Sequence, residues 1–132
     1  KSSVVYFKVV KEGVGVSYNW RWVSNKQTRV VTIPIGYGDG YSRSLSNKGE
    51  VLIRGKRYKI VGSVCMDQMM VNIEDGEAYN QDEVVLIGTQ GKEVITCDDL
   101  AKIQNTISYE ILTQINTRVP RIYKFEGKEI FF

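Results

Sequence analysis

Glu50-Val51-Leu52-Ile53, then Arg54-Gly55-Lys56, then Tyr58-Lys59-Ile60-Val61 and on to Cys65 is the stretch that decides the fold. Two runs rich in β-branched residues flank a polar turn that contains glycine, which reads as strand, turn, strand. The same grammar repeats on either side. Downstream come Met69 to Ile73, the turn Glu74-Asp75-Gly76, Glu83 to Ile87, the turn Thr89-Gln90-Gly91-Lys92, Glu93 to Ile95 and, near the end, Arg121 to Phe125. Upstream lie Arg29 to Ile35 and an opening run, Val4 to Phe7 with Val9-Val10, closed by Lys11-Glu12-Gly13. Between those two, Val14, Val16, Tyr18, Trp20 and Trp22 alternate with smaller or polar residues. A period of two predicts one strand carrying the three rings on one face. About eight to ten short strands at close spacing predict a mostly β, small barrel-like domain.

One region breaks the pattern. Thr96 offers a capping oxygen, Asp98 and Asp99 bring negative charge to a helix start, and Leu100-Ala101-Lys102-Ile103 follows. A second short helix is predicted from Ser108, because Ile107, Ile111, Leu112 and Ile115 share a helical face. It must stop before Pro120, since the residue ahead of proline avoids the helical region.

The chain has 132 residues, 42% hydrophobic and 25% charged, which is the size and composition of one globular domain spanning 1–132. Eighteen basic and fifteen acidic residues leave a net charge of +3, too weak to demand nucleic acid or an anionic membrane. There is no histidine, so a triad, general base or metal site built on imidazole within this chain is excluded. Cys65 and Cys97 lack the paired spacing of a zinc ribbon; they allow one disulfide without implying it. No apolar run approaches the roughly 18 residues that cross a bilayer, and no signal-peptide pattern is present, so a cytoplasmic location without membrane contact is expected. A start at Lys1, without methionine and directly in a strand-like run, suggests a fragment or an excised domain.

Four segments could carry chemistry. Ile35-Gly36-Tyr37-Gly38-Asp39-Gly40-Tyr41 lacks both the Lys-Ser/Thr of a P-loop and the βαβ context of a dinucleotide loop. Its plain reading is a loop needing positive φ or close backbone approach. Val64-Cys65-Met66-Asp67-Gln68-Met69-Met70 reads as a strand end with core sulfur atoms that meets a carboxylate. Tyr18, Trp20 and Trp22 serve either core packing or, with Arg21, a platform that stacks single-stranded nucleic acid. Tyr109, in Ile107-Ser108-Tyr109-Glu110, either packs its ring at a helix start or offers a phenol to an anion.

In order and spacing these segments resemble a known family. Val16-Ser17-Tyr18, Pro34 to Arg43, Val64 to Gln68, Ile107 to Glu110 and Arg118-Val119-Pro120-Arg121 are similar to the C-terminal domain of alanine racemase, from the first strand to about Tyr123. The resemblance implies a two-domain enzyme that uses pyridoxal 5'-phosphate, held by a lysine of an N-terminal barrel lying outside this chain. It implies a homodimer in which one subunit's barrel and the other's β domain share each active site, so the isolated domain is expected to be inactive. By the same likeness Tyr18 is a catalytic base for the Cα proton on the L-alanine side. Met66 stands where a backbone amide meets the substrate carboxylate, with Asp67 beside it, and Tyr109 where a hydroxyl contacts the cofactor phosphate. Tyr37 narrows the substrate entrance, and Arg43 lies farther out along it.

Two positions depart from the family pattern: Asn19 follows the tyrosine where glycine is common, and Ser63 stands where relatives place an arginine at the corridor mouth. The function expected is interconversion of L- and D-alanine, supplying D-alanine for peptidoglycan. A serine or broad-specificity racemase domain is the near alternative, and a β-barrel nucleic-acid-binding module the distant one.

Overall fold

The strands Thr28–Ile33 and Glu50–Ile53 are buried almost throughout, because both of their faces are covered. A computed structural model of the chain describes residues 1–17 and 21–130. In chain order the strands are β1 (Ser2–Ser3), β2 (Tyr6–Val10), β3 (Gly15–Val16), β4 (Trp22–Val23), β5 (Thr28–Ile33), β6 (Glu50–Ile53) and β7 (Lys56–Val61). They continue as β8 (Met69–Glu74), β9 (Glu83–Val85), β10 (Gly88–Gln90), β11 (Glu93–Ile95), β12 (Tyr123–Phe125) and β13 (Lys128–Ile130). Two helices, α1 (Cys97–Gln104) and α2 (Ser108–Thr113), separate the last two strands from the rest.

Seven strands form one antiparallel sheet in the order β1-β9-β6-β7-β8-β5-β2. Its two edge strands, β1 and β2, are consecutive pieces of one segment. Between them the Val4 N–H donates to the Asp82 carbonyl and the Val5 N–H to the Thr32 carbonyl, each at 3.0 Å. The sheet therefore curls round and is bridged by residues 2–10, which is the barrel-like architecture expected from the strand count. The described strands number thirteen, more than expected, because the two-residue β1 and the three-residue β10 and β13 leave little trace in apolar periodicity and one alternating run is two strands, β3 and β4.

Alternation sorts the side chains. Val31 and Ile33 of β5, Ile60 of β7 and Met69, Val71 and Ile73 of β8 enter the main core. Val30 and Val61 point to the other face and meet Val10 and Val16 in a second cluster, with Trp22 and Met70 packed against it. Leu100 and Ala101 of α1 and Ile111 of α2 close over the main core.

Two expectations need correction. The single strand from Val14 to Trp22 is a reversal: β3 and β4 pair antiparallel, with Val16 opposite Trp22. A period of two is the same on both arms of such a pair, so alternation alone does not reveal the bend; the residue that leaves the strand is Ser17, at φ +70°. Tyr18 and Trp20 lie outside the described residues, and Trp22 packs on the second cluster, so its ring is engaged in packing. The glycine-rich stretch is the expected loop, with Gly40 at φ +104° and Gly36 in close backbone approach, and it includes a 3-10 turn at Tyr37–Asp39; a second follows at Arg43–Leu45. The shared apolar face of the second helix is also only partly buried. Ile111 is in the core, whereas Ile107 and Leu112 are exposed.

Candidate active site

Close backbone approach builds the site. Ser17 leaves β3 in the left-handed region, an uncommon place for a residue with a side chain. Its hydroxyl explains why: Oγ donates to the Ser63 carbonyl at 3.1 Å and accepts the Ser63 N–H at 3.0 Å. This two-way clamp fastens the end of β3 to the segment leading from β7 into Cys65, Met66 and Asp67. A backbone conformation that costs of order 1 kcal/mol or more persists where the surroundings over-determine it, and such outliers cluster at functional sites.

The glycine-rich segment docks on that same stretch. The Tyr37 N–H donates to the Cys65 carbonyl and the Gly38 N–H to the Met66 carbonyl, both at 2.9 Å. Gly36 permits this approach, since a Cβ there would lie 2.0 Å from the Cys65 oxygen. The Cys65 N–H in turn donates to the Gln68 carbonyl at 2.9 Å, closing the Met66–Asp67 turn. The carbonyl of Met66 is thus engaged, while its N–H has no acceptor among the described residues. On the far side the Ser46 hydroxyl accepts the Val64 N–H at 2.8 Å and donates to the Arg43 carbonyl at 2.6 Å, tying the second 3-10 turn to the same strand end.

Arg118 joins three segments. Its Nε donates to Asp39 Oδ1 at 2.7 Å, and its Nη2 donates to Asp67 Oδ1. Asp39 also accepts the Gly36 N–H through Oδ2 at 3.0 Å, and its carbonyl accepts the Asn116 N–H at 2.9 Å. Burial would raise the Asp39 pKa; the Arg118 hydrogen bond, the Gly36 amide and the Arg118 charge outweigh it and hold the carboxyl below its ordinary value. Bonds to Asp39 and then Asp67 raise the Arg118 guanidinium in turn. Arg118 lies in the Arg118-Val119-Pro120-Arg121 motif, but its role has no local signal, because its partners lie 79 and 51 positions away. The Ser17 clamp was missed for the same reason.

Tyr18 lies outside the described residues; the other site side chains expected from the sequence stand open. Tyr37 is 42%, Met66 52% and Tyr109 75% exposed, and Asp67 and Arg43 are exposed as well. The backbone network gathers the segments of Tyr37, Met66, Asp67 and Arg43. Tyr109, on the first turn of α2, is linked to them through the chain that runs on to Asn116 and Arg118. Its hydroxyl has no partner among the described residues, so a free phenol donor is available for one hydrogen bond to a phosphate oxygen, which fits the cofactor contact expected of it. Ser63 is buried, and its hydroxyl has no partner among the described residues. Cys65 and Cys97 are free thiols. Among the described residues no group of acidic or cysteine side chains could hold a metal, and no helix is long and apolar enough to cross a membrane.

Comparison with known proteins gives a consistent result. The family model described as "Alanine racemase, C-terminal domain" matches residues 1–123. An alanine racemase of Carboxydothermus hydrogenoformans is 52% identical over 124 residues, covering 93% of this chain and 34% of its own length. One from Halothermothrix orenii is 48% identical, over 94% of this chain and 33% of its own. Among solved structures, alanine racemase from Bacillus anthracis with bound L-Ala-P superposes with a TM-score of 0.94 at 42% identity, over 98% of this chain and 33% of its own. An alanine racemase of Clostridium difficile 630 in complex with cycloserine gives 0.88 at 37% identity, over 97% and 33%. The chain spans about a third of the length of the curated relatives it matches.

Proposed function

This chain belongs to the alanine racemase C-terminal domain family, and from that membership we propose that it supplies half of an amino-acid racemase active site. The other half, including a lysine that holds pyridoxal phosphate, comes from the N-terminal barrel of a second subunit in a homodimer. In this reading residues 1–132 are the β domain, the substrate is alanine, and the product serves D-alanine supply for peptidoglycan in the cytoplasm. The isolated domain is inactive.

Racemisation removes a proton from one face of Cα and returns one to the other, so it needs two bases on opposite sides. Pyridoxal phosphate, when bound, supplies the electron sink that lets that proton leave. Tyr18 takes and returns the proton on the L-alanine face. A free phenol titrates near about pH 10, so the reaction needs a neighbouring cation or donor to depress it. The chain has no histidine, and we assign that group to the partner barrel. The Met66 N–H receives the substrate carboxylate, Tyr109 donates to the phosphate, and Tyr37 and Arg43 line the way in. The observation that carries this reading is the Ser17 clamp. The residue covalently next to Tyr18 is hydrogen-bonded at 3.0 and 3.1 Å to Ser63, three residues before Met66. The segment that leads to Tyr18 and the one that leads to Met66 are fastened to each other at Ser17 and Ser63, which supports roles that need fixed positions, since a misplacement of about 1 Å can cost ~10²-fold in rate.

The test is the full-length protein carrying this chain, assayed for conversion of L-alanine and of L-serine to their D-forms. Tyr18→Phe is expected to lower turnover by roughly 10²- to 10⁴-fold, the range of a lost general base, with the cofactor absorbance intact. Near-normal racemisation by that variant overturns the assignment, and a preference for serine selects the other substrate.

A further inference from the structure

The Arg118 bridge is asymmetric. The Asp39 side chain is 13% exposed and that of Asp67 is 67% exposed. Asp39 is anchored on both oxygens, by Arg118 Nε at 2.7 Å and the Gly36 N–H at 3.0 Å. It therefore fixes the guanidinium, which reaches outward to Asp67, whose carboxylate has no second partner among the described residues. Gly38 leaves room for this: a Cβ there would lie 2.9 Å from Arg118 Cζ. Arg121, a second cation of the same segment, is turned instead to the carbonyls of Ile115, Asn116 and Val119. Among the described residues Arg118 is thus the cation paired with Asp67.

That arrangement answers an electrostatic problem. An open amide at Met66 attracts an anion, yet the next residue in the chain carries a negative charge. Without Arg118 the pair Asp39 and Asp67 would present two negative charges; with it the cluster carries one, and the exposed member is bonded to the cation as well as the buried one. Like charges within a few ångströms in a partly dehydrated site oppose binding appreciably, whereas a paired carboxylate does so much less.

We propose that Arg118 is a substrate-affinity residue that neutralises Asp67, so that the carboxylate of an amino acid can dock on the Met66 N–H. The proposal rests on the reading of Met66 as the carboxylate-binding amide. It assigns to Arg118 an effect on substrate affinity through charge, apart from any role in holding the two loops together.

Steady-state racemisation by the full-length enzyme decides it. Arg118→Gln is expected to raise KM for alanine roughly tenfold, the size of one uncompensated charge interaction, with kcat within about threefold. Added salt should narrow the gap, because it screens repulsion. Arg118→Lys keeps the charge and should stay within about threefold of the parent KM. The double variant Arg118→Gln/Asp67→Asn should recover most of the loss, since the repelling charge is gone. A purely architectural bridge gives the opposite pattern: kcat falls, lysine does not rescue, and removing Asp67 restores nothing. That pattern, or an unchanged KM in Arg118→Gln, overturns the proposal. If Arg118→Gln does not fold, the lysine variant and Asp67→Asn alone decide, the latter expected to lower KM; an unchanged or raised KM in Asp67→Asn refutes the idea. A parent enzyme that racemises while Arg118→Gln keeps its KM sinks this inference only. A parent that racemises nothing, or is indifferent to Tyr18→Phe, sinks the reading beneath it.

Discussion

Gly36 and Gly13 show how differently two glycines can matter. At Gly36 a methyl group would collide with the Cys65 carbonyl at 2.0 Å and the Met66 carbonyl at 2.5 Å. These are backbone atoms fixed by the Tyr37 and Gly38 hydrogen bonds, so the contact cannot be relieved by turning a side chain. Gly36→Ala should cost about 3 kcal/mol, the upper part of the overpacking range, and weaken any function that depends on Tyr37 or Met66. Gly13, at φ +82° with nothing within 4 Å of an added Cβ, has only its backbone preference at stake, and Gly13→Ala should cost about 1 kcal/mol. Urea unfolding of the two variants side by side measures the difference; equal losses would mean that the Gly36 approach is not tight. Both glycines sat in segments read from sequence as turn or loop. Which one touches another strand depended on residues some 30 positions away.

Among the elements, α1 was the most legible. Thr96 Oγ1 accepts the Asp99 N–H at 3.1 Å while Asp99 Oδ2 accepts the Thr96 N–H at 2.8 Å, a reciprocal cap spelled by four adjacent residues. Thr96→Ala should therefore destabilise the domain by about 1 kcal/mol, seen as a shifted urea midpoint at unchanged slope. No shift would show that packing of Leu100 and Ala101 alone holds the helix. The hairpin β3–β4 was the least legible. Its residues alternate as one strand would, and what bends it is a hydrogen-bonded Ser17 whose partner lies 46 positions on. Between these extremes the α2 start at Ser108 and its end before Pro120 were as expected, though Ile107 and Leu112 are left exposed.

At the scale of the molecule, closure of the sheet concentrates in a few residues. Val4 lies between β1 and β2, is 1% exposed and belongs to the main core, while Val5 beside it is 46% exposed. Val4→Asp should bury an unpaired charge and cost several kcal/mol, enough to abolish cooperative folding in a domain of ordinary stability. Val5→Asp should stay within about 1 kcal/mol of the parent. A thermal melt of each checks this, and similar melts would mean that the curl does not depend on that joint. The chain's own letters determined the mostly β class, the capped helix, the positions of most turns and the family, because these depend on neighbours one to four residues apart or on motifs kept in order. Only the folded chain decided that the strands curl until residues 2–10 join both edges, that β3 turns back at Ser17, and that Arg118 spans Asp39 and Asp67. Each of these depends on groups brought together from distant points of the chain, and no local pattern encodes such a meeting.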